Sequence, residues 1–114
     1  EGDPEIAFFK DAVQFYPPLD SILFFETEEH NLNAHTSDDV FQVKMKLFEL
    51  EEILPRKFVR VSKSAIVTVK HIYSVERNIT SASLISFAGT HKQLYASRSY
   101  YKLLKLRLGE RRFL

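Results

Sequence analysis

The chain has 114 residues, 45% of them hydrophobic, which suits one domain with a real core. It contains no cysteine, which excludes disulfides and thiolate metal sites, and no apolar run approaches the roughly 18–20 residues of a spanning helix. The net charge of +1 conceals a division: residues 1–54 carry three lysines against thirteen carboxylates, whereas residues 55–114 carry thirteen bases against Glu76 and Glu110. Such asymmetry points to nucleic-acid or membrane contact unless the halves interleave in space.

The first segment, IAFFKDAVQFY, lacks a helical period and ends at Pro17-Pro18, so residues 1–19 read as a lead-in strand and turn. The apolar run at residues 21–27 reads as a buried strand. Residues 30–36 alternate weakly and read as an exposed or edge strand. The Ser37-Asp38-Asp39 turn then leads to a strand at 40–45, completing a hairpin. In LFELEEIL, Leu47, Leu50 and Leu54 share a helical stripe that Pro55 stops, which predicts a short helix at about 47–54.

Residues 58–72, FVRVSKSAIVTVKHI, form two β-branched runs around the polar triplet Ser62, Lys63 and Ser64, which reads as two central strands joined at a tight corner. A second hairpin is expected from 74–78 and 83–88, then a turn at 89–92 and a strand at 93–96. A last stripe, Tyr101, Leu104 and Leu108, predicts a C-terminal helix at about 99–108, with Ser99 as its N-cap and Gly109 as its stop. The fold class is therefore mainly β, with short, mostly antiparallel strands and two helices.

Four segments in this order resemble the LytTR family of bacterial DNA-binding domains: ILFFETEEHNLNAHT, LFELEEILP, FVRVSKSAIVTVKHI and YASRSYYKLLKLRL. The resemblance implies a single LytTR-like domain over 1–114 that places loops, not a recognition helix, in successive major grooves at paired direct repeats. By analogy the base-contacting positions are His30 and Asn31, Ser62 and Lys63, and Arg98 and Ser99. Many relatives carry His followed by Asn or Arg where Ser62 and Lys63 stand here. Ser64, Lys44, Lys46, Lys70, Lys102 and Lys105 are the expected phosphate contacts.

Elementary chemistry supports the same residues. Lys63 can donate to guanine or phosphate, and Arg98 can make a bidentate contact that lysine cannot. A cation beside a helix N-terminus is disfavoured by the macrodipole unless an anion is present. Arg60 lies inside an apolar strand and is expected to pair with Glu26 or Glu49. The cluster His30, His35, Asp38 and Asp39 has metal-ligand types, but strand positions five apart face opposite ways, so no metal, cofactor or catalysis is expected.

The expected partner is double-stranded DNA, bound by two copies per site, in a cytoplasmic bacterial transcription regulator with no membrane association. The start at Glu1 fits a piece of a longer chain, with an N-terminal receiver or other regulatory domain as the expected neighbour. The alternative is a non-catalytic β-module whose acidic half binds a basic protein.

Overall fold

The apolar runs and alternations of the sequence become two antiparallel sheets in the computed structural model, which describes residues 2–114. The larger sheet contains β1 (Phe8–Lys10), β2 (Val13–Phe15), β3 (Phe24–Glu28), β4 (Asn31–His35), β5 (Val40–Val43), β6 (Phe58–Ser62) and β7 (Ala65–Thr68). Its spatial order is β2-β1-β5-β4-β3-β7-β6. The smaller sheet, ordered β10-β9-β8, comprises β8 (Ile72–Glu76), β9 (Ser83–Phe87) and β10 (Gln93–Ala96). Two α-helices, α1 (Leu47–Ile53) and α2 (Arg98–Gly109), complete the regular structure together with short 3-10 turns.

Several expectations are corrected. The lead-in is a hairpin, not one strand, because Asp11 takes a left-handed φ of 55° and folds β2 back on β1. β4 is interior, between β3 and β5. Its alternation reports one buried face (Leu32, Ala34) and one polar face, not a sheet edge. Conversely β6 is outermost in its sheet, and α2 packs beside it. The helix begins one residue earlier than expected, with Ser97 at the N-cap and Ser99 inside the first turn. Gly109 ends no helix by a left-handed turn, since α2 runs through it to a C-cap at Glu110.

The larger sheet separates two cores. Phe25, Leu32, Ala34, Phe41, Val43 and Ile66 pack on one side with Leu47 and Leu50 of α1. Phe24, Val59, Val61 and Val67 pack on the other with Ile85, Phe87, Leu94 and Leu104 from the small sheet and α2. Being covered on both faces, β7 buries all four residues of AIVT, which accounts for its unbroken apolar run. Stacked aromatic pairs brace both layers, Phe8 on Phe25 and Phe24 on Phe87.

Candidate nucleic-acid interface

The β3–β4 hairpin closes with Glu28 paired to Asn31, leaving Glu29 and His30 as its two-residue tip. Glu29 sits at φ 59°, a conformation costly for a side chain that is neither Gly nor Asn. His30 is therefore exposed at the end of the sheet, with Asn31 beside it accepting a 3.2 Å hydrogen bond from the Gln42 amide. The neighbouring Glu28 is engaged by Asn33, at 2.6 Å, and by His35, at 3.2 Å. The Asn33 bond, then the His35 bond and the charges near it, outweigh burial and hold the Glu28 carboxyl below the usual range.

The polar corner is built with equal economy. Ser62 pairs with Ala65, so Lys63 and Ser64 form the link between β6 and β7, and the register shifts between Arg60 and Ser62. Arg60 fixes this turn from within: Nε donates to the Ser62 carbonyl at 2.8 Å and Nη2 to the Lys63 carbonyl at 2.7 Å. Its Nη1 reaches Glu51 on α1 at 2.7 Å. The expected partners were Glu26 and Glu49, and both are otherwise placed. Glu49 accepts from the Lys46 N–H at 2.9 Å at the start of α1. Glu26 is half-buried in β3 and has no cationic partner among the described residues, so desolvation, and then Glu28, pushes its carboxyl up. The Ser62 hydroxyl accepts from the Ser64 N–H at 3.1 Å, which leaves Lys63 as the exposed side chain of the corner.

The third element is the start of α2. Ser97 occupies its N-cap position without a side-chain capping bond, Arg98 and Ser99 follow as exposed residues, and no acid lies in the first turn. Two backbone hydrogen bonds bring the three elements to one end of the molecule. The Thr27 N–H donates to the Ser64 carbonyl at 2.8 Å, and the Ser97 N–H donates to the Val61 carbonyl at 2.8 Å. Lys44 and Lys46 lie at this end too, because Val43 pairs with Leu32 next to the hairpin tip. Lys44 Nζ rests 4.1 Å from the centroid of the Phe9 ring.

Lys102 lies one helical turn beyond Arg98, and Lys105 further along the same exposed side. Lys70 is not brought together with them. It follows the far end of β7, close enough to Asp20 to help lower that carboxyl, whose main partner is Lys57. One residue escaped the sequence reading. Arg77 opens the loop between β8 and β9, which lies at the α2 end because Ser83 pairs with Ala96. Its guanidinium stacks 4.6 Å from the Tyr101 ring centroid. Its only signal was a base next to a predicted turn.

Much of the basic half is consumed internally. Arg56 bridges Glu110, Lys57 reaches Asp3 and Asp20, Arg107 and Arg111 donate to backbone carbonyls, and Lys92 donates to the Asp39 carbonyl. Among the described residues, Lys63, Arg77, Arg98 and Lys102 carry no such bond and sit at the loop end, while Lys70, Lys105 and Arg112 carry none either.

Residues 14–109 match the family model described as the LytTr DNA-binding domain. Uncharacterized HTH-type transcriptional regulators from several Staphylococcus aureus strains are 33% identical over 91 residues, which cover 80% of this chain and 61% of theirs. The chain thus spans about three-fifths of the length of these curated relatives. The LytTr DNA-binding domain of a Bacillus cereus protein described as a methyl-accepting/DNA response regulator has the same fold. It is 23% identical, with a TM-score of 0.84 over 95% of this chain and 99% of that one. Despite the name of the first relatives, α1 and α2 are separated by five strands and form no helix-turn-helix.

Proposed function

The chain belongs to the LytTR family of DNA-binding domains, and from that premise we propose that it recognises a specific duplex sequence through the loops at its α2 end. The observation that carries this reading is the convergence of the β3–β4 tip, the β6–β7 corner and the α2 start, held by the Thr27–Ser64 and Ser97–Val61 backbone bonds. His30, Asn31, Ser62, Lys63, Arg98 and Ser99 are the proposed base contacts. Lys63 supplies a single mobile charge, whereas Arg98 supplies a planar fork that matches guanine O6 and N7.

Ser64, Lys44, Lys46, Lys102 and Lys105 are the proposed phosphate contacts, and Lys70 is withdrawn from this set because it lies at the opposite end. A phosphate beside Arg98 relieves the unfavourable placement of a cation at the helix N-terminus. No cofactor or chemistry is invoked. The proposed full site is a pair of direct repeats, one copy of the domain on each, with the loops entering successive major grooves. A receiver domain is the proposed neighbour in the longer protein, whose cytoplasmic placement is likewise proposed.

Selection of bound sequences from a random duplex library tests the reading, because it yields site, spacing and copy number together. Enrichment of one motif, occurring twice in the same orientation, is expected. Lys63→Ala and Arg98→Ala should each lose about 1–3 kcal/mol on that motif and relax the preference at one position. No enrichment with the wild-type domain contradicts the proposal, and equal losses on random and selected duplexes demote both residues to phosphate contacts.

A further inference from the structure

Beyond the three loops lies a pocket of about 300 Å³ lined by Arg77, Asn78, Ile79, Arg98, Tyr101 and Lys102. Three cations face it from two elements, and no carboxylate lines it. Arg98 and Lys102 stand four residues apart on α2, a like-charge spacing that weakens an isolated helix, and Arg98 opens the helix at the positive end of its dipole. Arg77 adds a third positive charge to the same place. Like charges set this close repel one another, and an anion would relieve them.

The loop that carries Arg77 is ordered by its own bonds. The Asn78 N–H donates to Ser83 Oγ at 3.1 Å, and Asn78 Oδ1 accepts from both the N–H and the hydroxyl of Thr80 at 3.0 Å. The Tyr101 ring holds the guanidinium without neutralising it. Arg77 is therefore preorganised, charged and, among the described residues, free of a competing acid.

We infer that the β8–β9 loop is a fourth DNA-contacting element, in which Arg77 and Lys102 clamp one backbone phosphate next to the base contact of Arg98. The inference rests on the proposed duplex recognition and extends it. The clamp fixes the register of α2 on the duplex, and it carries no sequence information itself. The exposed Ile79 also lines the pocket.

The test compares wild-type, Arg77→Ala and Arg77→Lys domains on the selected duplex and on a random duplex across a salt series. Arg77→Ala should weaken both complexes alike, by about fivefold at 0.15 M salt, and should flatten the log–log salt slope by about 0.9. Arg77→Lys should keep the slope, and the thermal midpoint should stay put because Arg77 is exposed. In duplexes with single neutral methylphosphonates, one position should cost the wild type more affinity than it costs Arg77→Ala. An unchanged slope in Arg77→Ala, or a loss confined to one base, overturns the clamp while leaving the three-loop recognition standing. Competition by millimolar inorganic phosphate against the wild type alone would assign the pocket to a free anion instead. Failure of the wild type to bind any duplex would remove both proposals together.

Discussion

Arg60 shows how one side chain makes a recognition loop rigid. Its three bonds, to the Ser62 and Lys63 carbonyls and to Glu51, satisfy groups that a turn would otherwise leave to water. Arg60→Ala should therefore cost about 1.5–3 kcal/mol of stability, the range for bonds to a charged group. It should also weaken specific DNA binding while leaving the salt slope unchanged, since Arg60 is proposed to touch no phosphate. A flattened slope would instead make Arg60 a direct contact. The sequence placed Arg60 in a structural role because an arginine inside an apolar strand needs a partner. It did not identify Glu51, because nothing in a linear pattern says which turn of α1 faces β6.

His35 offers a second test at this scale. Its ring stacks on Phe24, with 4.4 Å between centroids, while Nδ1 accepts from the Lys92 ammonium and Nε2–H donates to Glu28. These partners suit the neutral ring, and burial, opposed by the Glu28 bond and reinforced by Lys92, pushes its pKa below the ordinary 6.5. The unfolded chain then binds the proton more tightly, so stability is full above about pH 6.5 and declines as the pH falls below it. Unfolding midpoints measured from pH 7 to 5 should fall, and His35→Gln should flatten the decline. An equal decline in the variant would place the titration elsewhere.

At the level of elements, α2 holds the start of the recognition surface by its buried stripe. Leu104 is fully buried against β6 and the small sheet, with Leu108 packed on the same core. Leu104→Ala should cost about 2–5 kcal/mol. Hydrogen exchange at residues 97–99 should rise with it, because the Ser97–Val61 bond depends on the helix being seated. Unchanged exchange there would mean that the β10 connection alone positions Arg98. The helix stripe, the Leu47–Leu50 face of α1 and the paired β6–β7 runs were legible because each writes its burial period into the chain. The interior place of β4 was not, since one polar face reads the same at an edge as under partial cover. Nor was the start of α2, where two serines flank Arg98 and offer more than one N-cap position: Ser97 occupies it, and Ser99 lies within the first turn.

The charge division of the sequence takes on a different meaning in the whole molecule. Acidic and basic halves interleave, with Lys57 bonded to Asp3 and Asp20 and Arg60 to Glu51, so the asymmetry does not survive as two opposed faces. Among the described residues seven bases of the second half carry neither an ion pair nor a side-chain hydrogen bond, and four of them, Lys63, Arg77, Arg98 and Lys102, leave a local excess at the loop end. That residue of the asymmetry, not the net charge, is what suits a polyanion. None of the described helices is long and apolar enough to cross a membrane.

The most direct test of duplex recognition by this end is a salt titration of binding to the selected duplex. With five to seven neutralised phosphates, log affinity should fall against log salt with a slope of about −4.5 to −6.3, and the selected duplex should stay tighter than a random one throughout. No measurable duplex binding at low salt, or a slope near zero, would contradict the account.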